Sequence, residues 1–151
     1  MPAGKQRGFT LLGLLFLVAG LGVSLAALGT VWQNVNQREK EAELLFVGDQ
    51  YRRALLSYYR QAPGGDQHYP KKLGDLLRDP RFPNTVRHLR RLQPDPVTGG
   101  DFILVRDPEG GIKGLHSAAV AAPKKTAGFA PEYARFEGAT HYSDWVFLAE
   151  K

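Results

Sequence analysis

Residues 9–32 read FTLLGLLFLVAGLGVSLAALGTVW, without one charged side chain, and a short basic leader, Met1–Gly8, runs directly into them. Lys5 and Arg7 stand just ahead of the junction. A helix over Phe9–Trp32 would be roughly 36 Å long at about 1.5 Å per residue, enough to cross a ~30 Å hydrocarbon core with some tilt. The segment therefore reads as a transmembrane anchor with which the protein begins, and the rest of the chain hangs from it. Two rival readings of the same residues stay open. One is a secretory signal peptide with Ser24 and Ala26 framing its cleavage site; the other is a plain uncleaved anchor. Against the signal peptide, the apolar run continues past Ala26 through Val31 and Trp32.

Outward from this stretch the chain turns polar without a breaker: Gln33, Asn34, Asn36, Gln37, then Arg38-Glu39-Lys40-Glu41-Ala42-Glu43, all helix-compatible. Leu44, Val47, Tyr51, Leu55 and Tyr58 then recur at three- and four-residue steps, one apolar face of an amphipathic helix. Leu45, Phe46 and Leu56 widen the stripe, and Arg52, Arg53 and Arg60 can lay their stems along its flanks. Pro63-Gly64-Gly65 is the stop signal. Residues 9–62 thus predict one long helix, its first half (9–32) in lipid and its second half (33–62) an external spine. Gly22 and Ala26 form a small-xxx-small pair of the kind that lets membrane helices approach closely.

The remaining residues, 63–151, leave room for one small external domain. Leu73, Leu76 and Leu77 after Tyr69-Pro70 predict a helical turn or two, and Thr85–Leu92 a second short helix. Pro94–Gly100 is dense in turn residues. Phe102–Val105 and Ile112–His116 read as a hairpin closed by Asp107-Pro108-Glu109-Gly110-Gly111, and Trp145–Leu148 as a last strand. Residues 118–141, rich in Ala, Pro, Lys and Gly, read as a long surface loop. The fold class expected is α+β, a three-stranded antiparallel sheet burying one face on the helical spine.

Net charge is +5, from 20 basic against 15 acidic residues; without Lys5 and Arg7 it is 18 against 15, or +3. The excess gathers at Arg78, Arg81, Arg87, Arg90 and Arg91, read here as a solvated face. Only Phe82 interleaves with them, so a nucleic-acid stacking platform is not expected. With no cysteine, a disulfide framework or thiolate metal site is excluded. Four histidines (His68, His88, His116 and His141) read as surface or turn residues. His116-Ser117 with Asp101, Asp107 or Asp144 would make a triad only by converging in space. There is no Gly-x-Ser-x-Gly elbow, phosphate loop or His-Glu-x-x-His motif. No enzyme, cofactor or metal is expected.

Gly8-Phe9-Thr10-Leu11-Leu12 behind a short basic leader resembles the processing signal of type IV pilins and of the pseudopilins of type II secretion. The order of features in 63–151, with Asp95-Pro96, Gly99 and the terminal Asp144-Trp145, is similar to the globular domain of a major pseudopilin. The resemblance implies a pilin-like fold. It also implies that a prepilin peptidase removes residues 1–8, cutting between Gly8 and Phe9, and methylates Phe9. Leu11, Leu12, Gly13, Leu14, Leu15 and Phe16 would then belong to the assembly helix.

The partners implied are other pilin or pseudopilin subunits, an inner-membrane assembly platform driven by a cytoplasmic ATPase, and membrane lipid. The site implied is the inner membrane, N-terminus cytoplasmic and C-terminal domain periplasmic. Charge alone leaves orientation a tie, since Arg38 and Lys40 follow the span as Lys5 and Arg7 precede it. The sequence departs from the family at Gly13, where a glutamate is usual, and in lacking the closely spaced aspartates of its calcium loop. A membrane-tethered periplasmic binding module, acting through the arginine-rich region and residues 118–141 without polymerising, is the competing expectation.

Overall fold

The computed structural model describes the backbone of residues 7–150 and the side chains of residues 11–21 and 35–150. Helix α1 runs from Arg7 to Arg60, and the chain divides into two compact units, Met1–Gln37 and Arg38–Lys151. The helix starts two residues ahead of the expected Phe9, so its backbone passes through the Gly8–Phe9 junction. It ends where proline chemistry requires. Pro63 disfavours the helical region for the residue before it, and Ala62 accordingly turns extended at φ −65°, ψ 122°. The last helical bond is Gln61 N–H to the Ser57 carbonyl, at 3.0 Å.

Among the described residues no helix is long and apolar enough to cross a membrane. The expected span, 9–32, includes residues 22–32, whose side chains lie outside the described ones, as does the leader segment 1–6.

In the second unit α1 carries the apolar stripe as expected. Leu44, Val47, Tyr51, Leu55 and Tyr58 are buried, joined by Ala54. Phe46 is not part of it and remains 63% exposed, so the stripe is narrower than expected there. Facing it is a three-stranded antiparallel sheet in the order β1-β2-β3: β1 Ile103–Arg106, β2 Ile112–His116 and β3 Phe147–Leu148. The hairpin registers Ile103 on His116 and Leu104 on Leu115, with an irregularity between Val105 and Arg106. Its turn is held by Asp107, whose carboxylate accepts from the amides of Glu109 and Gly111, while Gly110 takes the left-handed conformation at φ 83°. Ile112, Leu115 and Phe147 share one core with the stripe of α1.

Three expectations need correction. Thr85–Leu92 is not helical. Its amides bond across the chain instead, His88 and Leu89 N–H both to the Leu76 carbonyl at 2.9 and 3.0 Å, while the Val86 carbonyl accepts from Asp79 N–H. Residues 118–141 are not only a surface loop. A 3₁₀ turn at Pro131–Phe136 brings Tyr133 and Phe136 onto one face, because residues three apart eclipse in that geometry. Both are buried, Phe136 stacking on Trp145 with centroids 5.8 Å apart. The last strand is Phe147–Leu148 alone, because Trp145 caps a 3₁₀ turn at Tyr142–Asp144 and departs from strand geometry. The leucine turn after Tyr69-Pro70 forms at Leu73–Leu76, with Leu76 buried.

Candidate functional site

Two regions carry the residues singled out from the sequence. In the first unit, Gly8 and Phe9 lie within α1, and the side chain of Phe9 is outside the described ones. Leu11, Leu12, Leu14, Leu15 and Phe16 are all exposed, as are Leu17, Val18 and Leu21, with exposures of 56% to 78%. Nothing stands within 4 Å of a Cβ built on Gly13. Together these side chains form a contiguous apolar run that is open to its surroundings.

The second region is the arginine-rich segment, and here the solvated-face expectation fails for one residue. Arg78, Arg87, Arg90 and Arg91 are exposed, but Arg81 is turned inward. Its guanidinium donates from Nη2 and Nε to Asp79, with Nη2 to Oδ2 at 2.6 Å, and from Nη2 to the Tyr58 carbonyl at 2.7 Å. It also lies over the Tyr58 ring, 3.6 Å from the centroid. Asp79 has no exposed side-chain surface. Burial works against its charged form, but the hydrogen bonds from the Arg81 side chain and amide and from His88 outweigh it and hold the carboxyl at about 2.

His88 is also not a surface histidine. Its side chain is 1% exposed, with Nε2 3.1 Å from Asp79 Oδ2 and Nδ1 2.9 Å from Ser57 Oγ. Ser57, His88 and Asp79 thus form a serine–imidazole–carboxylate relay that sequence spacing does not reveal. The triad partners imagined around His116 do not converge in this way; His116 Nδ1 bonds the Ser117 carbonyl. The only local signal was Asp79-Pro80-Arg81, a carboxylate and a guanidinium either side of a proline.

An acyl-transfer site needs donors aimed at a developing oxyanion. Ser57 sits inside α1, where amides such as that of Gln61 are committed to helical bonds. The relay ties residues 79–88 to the helix. A second tie follows at Gln93, whose N–H donates to Tyr51 Oη at 2.8 Å while that hydroxyl donates to the Gln93 carbonyl at 2.9 Å.

A third constellation supports the hairpin. Asp95, fully buried, accepts from Val97 N–H, from Thr98 Oγ1 at 2.7 Å and from Ser117 Oγ at 2.6 Å. Every one of these donors is uncharged, so the carboxylate is held by hydrogen bonds alone. Nearer the sheet edge of α1, Asp49 pairs with Arg52 and Arg53 and bonds Tyr133. Burial and the Asp49 bond push the Tyr133 hydroxyl up to about 12. Among the described residues no group of three or more His, Cys, Asp or Glu side chains could hold a metal ion.

Comparison of the chain with family models, curated proteins and solved structures returned no match.

Proposed function

We propose that the chain is a pseudopilin-like structural subunit, which joins a periplasmic filament of a type II secretion or related type IV pilus system through its amino-terminal helix. One observation carries this reading. The Gly8-Phe9-Thr10-Leu11-Leu12 junction opens directly onto a helix whose residues from Leu11 to Leu21 are all exposed and include no polar side chain. The α+β second unit, with a three-stranded antiparallel sheet against the later turns of α1, is compatible with a pilin-like fold. The mechanism is exchange of surroundings: apolar side chains leave lipid contacts for helix contacts in the filament, where small residues permit close approach. Gly13 supplies no carboxylate, so pairing with a neighbour's terminal amine is not part of this subunit's contribution.

The mass of the mature amino-terminal peptide tests the reading. The expected peptide begins at Phe9 and is one methyl group heavier than its sequence. A native chain that begins at Met1, or at Leu25 or later, overturns it. The second reading, a membrane-tethered binding module that never polymerises, draws on the basic groove described next. It predicts unchanged electrophoretic mobility and function when the prepilin peptidase is deleted.

A further inference from the structure

A groove of about 740 Å³ opens in the second unit between α1 and the segment that ends at Gln93. Its rim carries Arg53, Arg90 and Arg91; Leu89 and Ala54 contribute to its floor, and Phe46 stands at its edge. Among the described residues no aspartate or glutamate lines it. Arg53 is already paired, at 2.6 Å, with Asp49. Arg90 and Arg91 are exposed and have no ion pair among the described residues, which leaves two uncompensated guanidinium groups beside an exposed phenylalanine.

The backbone beneath those two arginines is immobilised on both sides. On one side His88 is held by Ser57 and Asp79, and its amide and that of Leu89 by the Leu76 carbonyl. On the other, Gln93 is locked to Tyr51 and its side chain donates to Gln50 Oε1 at 2.8 Å. Leu89 itself is buried, so the tetrapeptide from Leu89 to Leu92 presents its arginines from a fixed base. Binding to a preorganised rim loses less ordering entropy than binding to a free loop. That is an energetic function for a buried network which the assembly reading leaves unexplained.

We propose that this groove binds an extended acidic peptide segment of another protein, its carboxylates on Arg90 and Arg91 and an apolar side chain against Phe46 and Leu89. Guanidinium groups recognise carboxylates through parallel hydrogen bonds, which favours this chemistry over an unspecific charge contact. A concave site lined by both polar and apolar residues fits a peptide better than a planar lipid surface. The single aromatic at its edge is too few for base stacking along a nucleic acid.

The test uses the full chain in detergent micelles and a fluorescein-labelled peptide, Asp-Glu-Asp-Leu-Glu-Asp, read by anisotropy. Saturable binding is expected, weakened about tenfold or more in the Arg90→Glu/Arg91→Glu variant and by raising salt from about 0.1 to 1 M, where screening shortens to roughly 3 Å. Phe46→Ala should weaken it several-fold, and Arg78→Glu, outside the groove, should leave it unchanged. Circular dichroism establishes that each variant folds. Absence of saturable binding overturns the proposal. So does equal weakening by Arg78→Glu, or equal competition by a single-stranded oligonucleotide of the same charge. Peptide binding absent while the Arg90→Glu/Arg91→Glu variant loses self-association in sedimentation would assign the groove to a second copy instead. Gly8→Ala should not alter peptide binding, so failure here and failure of the assembly reading are separable.

Discussion

The ring of Phe147 in β3 lies across the backbone of Gly48 in α1, so close that a Cβ added at Gly48 would overlap the ring carbons. This contact sets how near the sheet comes to the helix. A buried aromatic ring is not the free end of a flexible side chain, so substitution at Gly48 must displace either ring or helix. Gly48→Ala gains about 1 kcal/mol in helix propensity, but overpacking of this kind costs about 1–3 kcal/mol. The expected outcome is a net loss of stability in urea unfolding of the full chain. Phe147→Leu introduced into the Gly48→Ala background should restore part of it, a coupling that independent sites would not show.

Asp79 predicts a defined pH dependence. Its carboxyl is held at about 2 in the folded chain, against about 3.9 when unfolded. A folded-state value below the unfolded one means the ionised form is favoured by folding. The stabilisation is therefore complete above about pH 4 and is lost as pH falls toward 2. It should amount to roughly 2–3 kcal/mol. Asp79→Asn should remove that part of the acid dependence. At neutral pH it should also destabilise by about 3–5 kcal/mol, because the Arg81 guanidinium is left buried without its counter-ion. Urea midpoints at pH 2, 4 and 7 for both chains measure this; parallel profiles would show that Asp79 does not govern the acid limb.

Much of the fold was legible because it follows periodic or local signals. The stripe from Leu44 to Tyr58 has helical spacing, Pro63 ends the helix, and Asp107 to Gly111 spells a hairpin turn. What could not be read was set by distant partners. Thr85–Leu92 looked helical until Leu76 took two of its amides. Arg81 looked like any other arginine in its cluster because the partner that turns it inward, Asp79, is useless without Tyr58 and His88. Tyr133 and Phe136 were hidden in a segment whose composition is that of a loop, although their three-residue spacing just after Pro131 was a visible clue to a 3₁₀ turn. The relay from Ser57 to His88 joins residues from two separate segments, and no spacing rule reaches that far.

Ser117 joins the two halves of the turn-and-hairpin region. Its hydroxyl donates to Asp95 and accepts from Ala119 N–H at 3.1 Å. Ser117→Ala removes both bonds in a fully buried setting and leaves a carboxylate oxygen short of a donor. The expected loss is about 1–3 kcal/mol. Thr98→Ala, which removes a bond from a residue exposed to water, should cost less. Hydrogen exchange supplies the local readout: the amides of Val97 and Ala119 should exchange faster in Ser117→Ala while those of α1 are unchanged.

Gly13 offers the sharpest test of the assembly reading, because its surroundings in the monomer place no limit on what replaces it. Open space around its Cβ means that Gly13→Glu meets no steric resistance within the chain. The monomer in micelles should keep its helix content, with glycine replaced by a better helix former. In a bilayer the new carboxylate is unfavourable by several kcal/mol unless a cation meets it. In a filament of processed subunits, the terminal amine of a neighbouring Phe9 is the partner that the family resemblance supplies. The expected outcome is a higher yield of cross-linked oligomers for Gly13→Glu than for the parent chain, and no such gain when Gly8→Ala blocks release of that amine. A gain that survives Gly8→Ala, or no gain at all, would mean that the residue at position 13 does not face a neighbour's amino terminus.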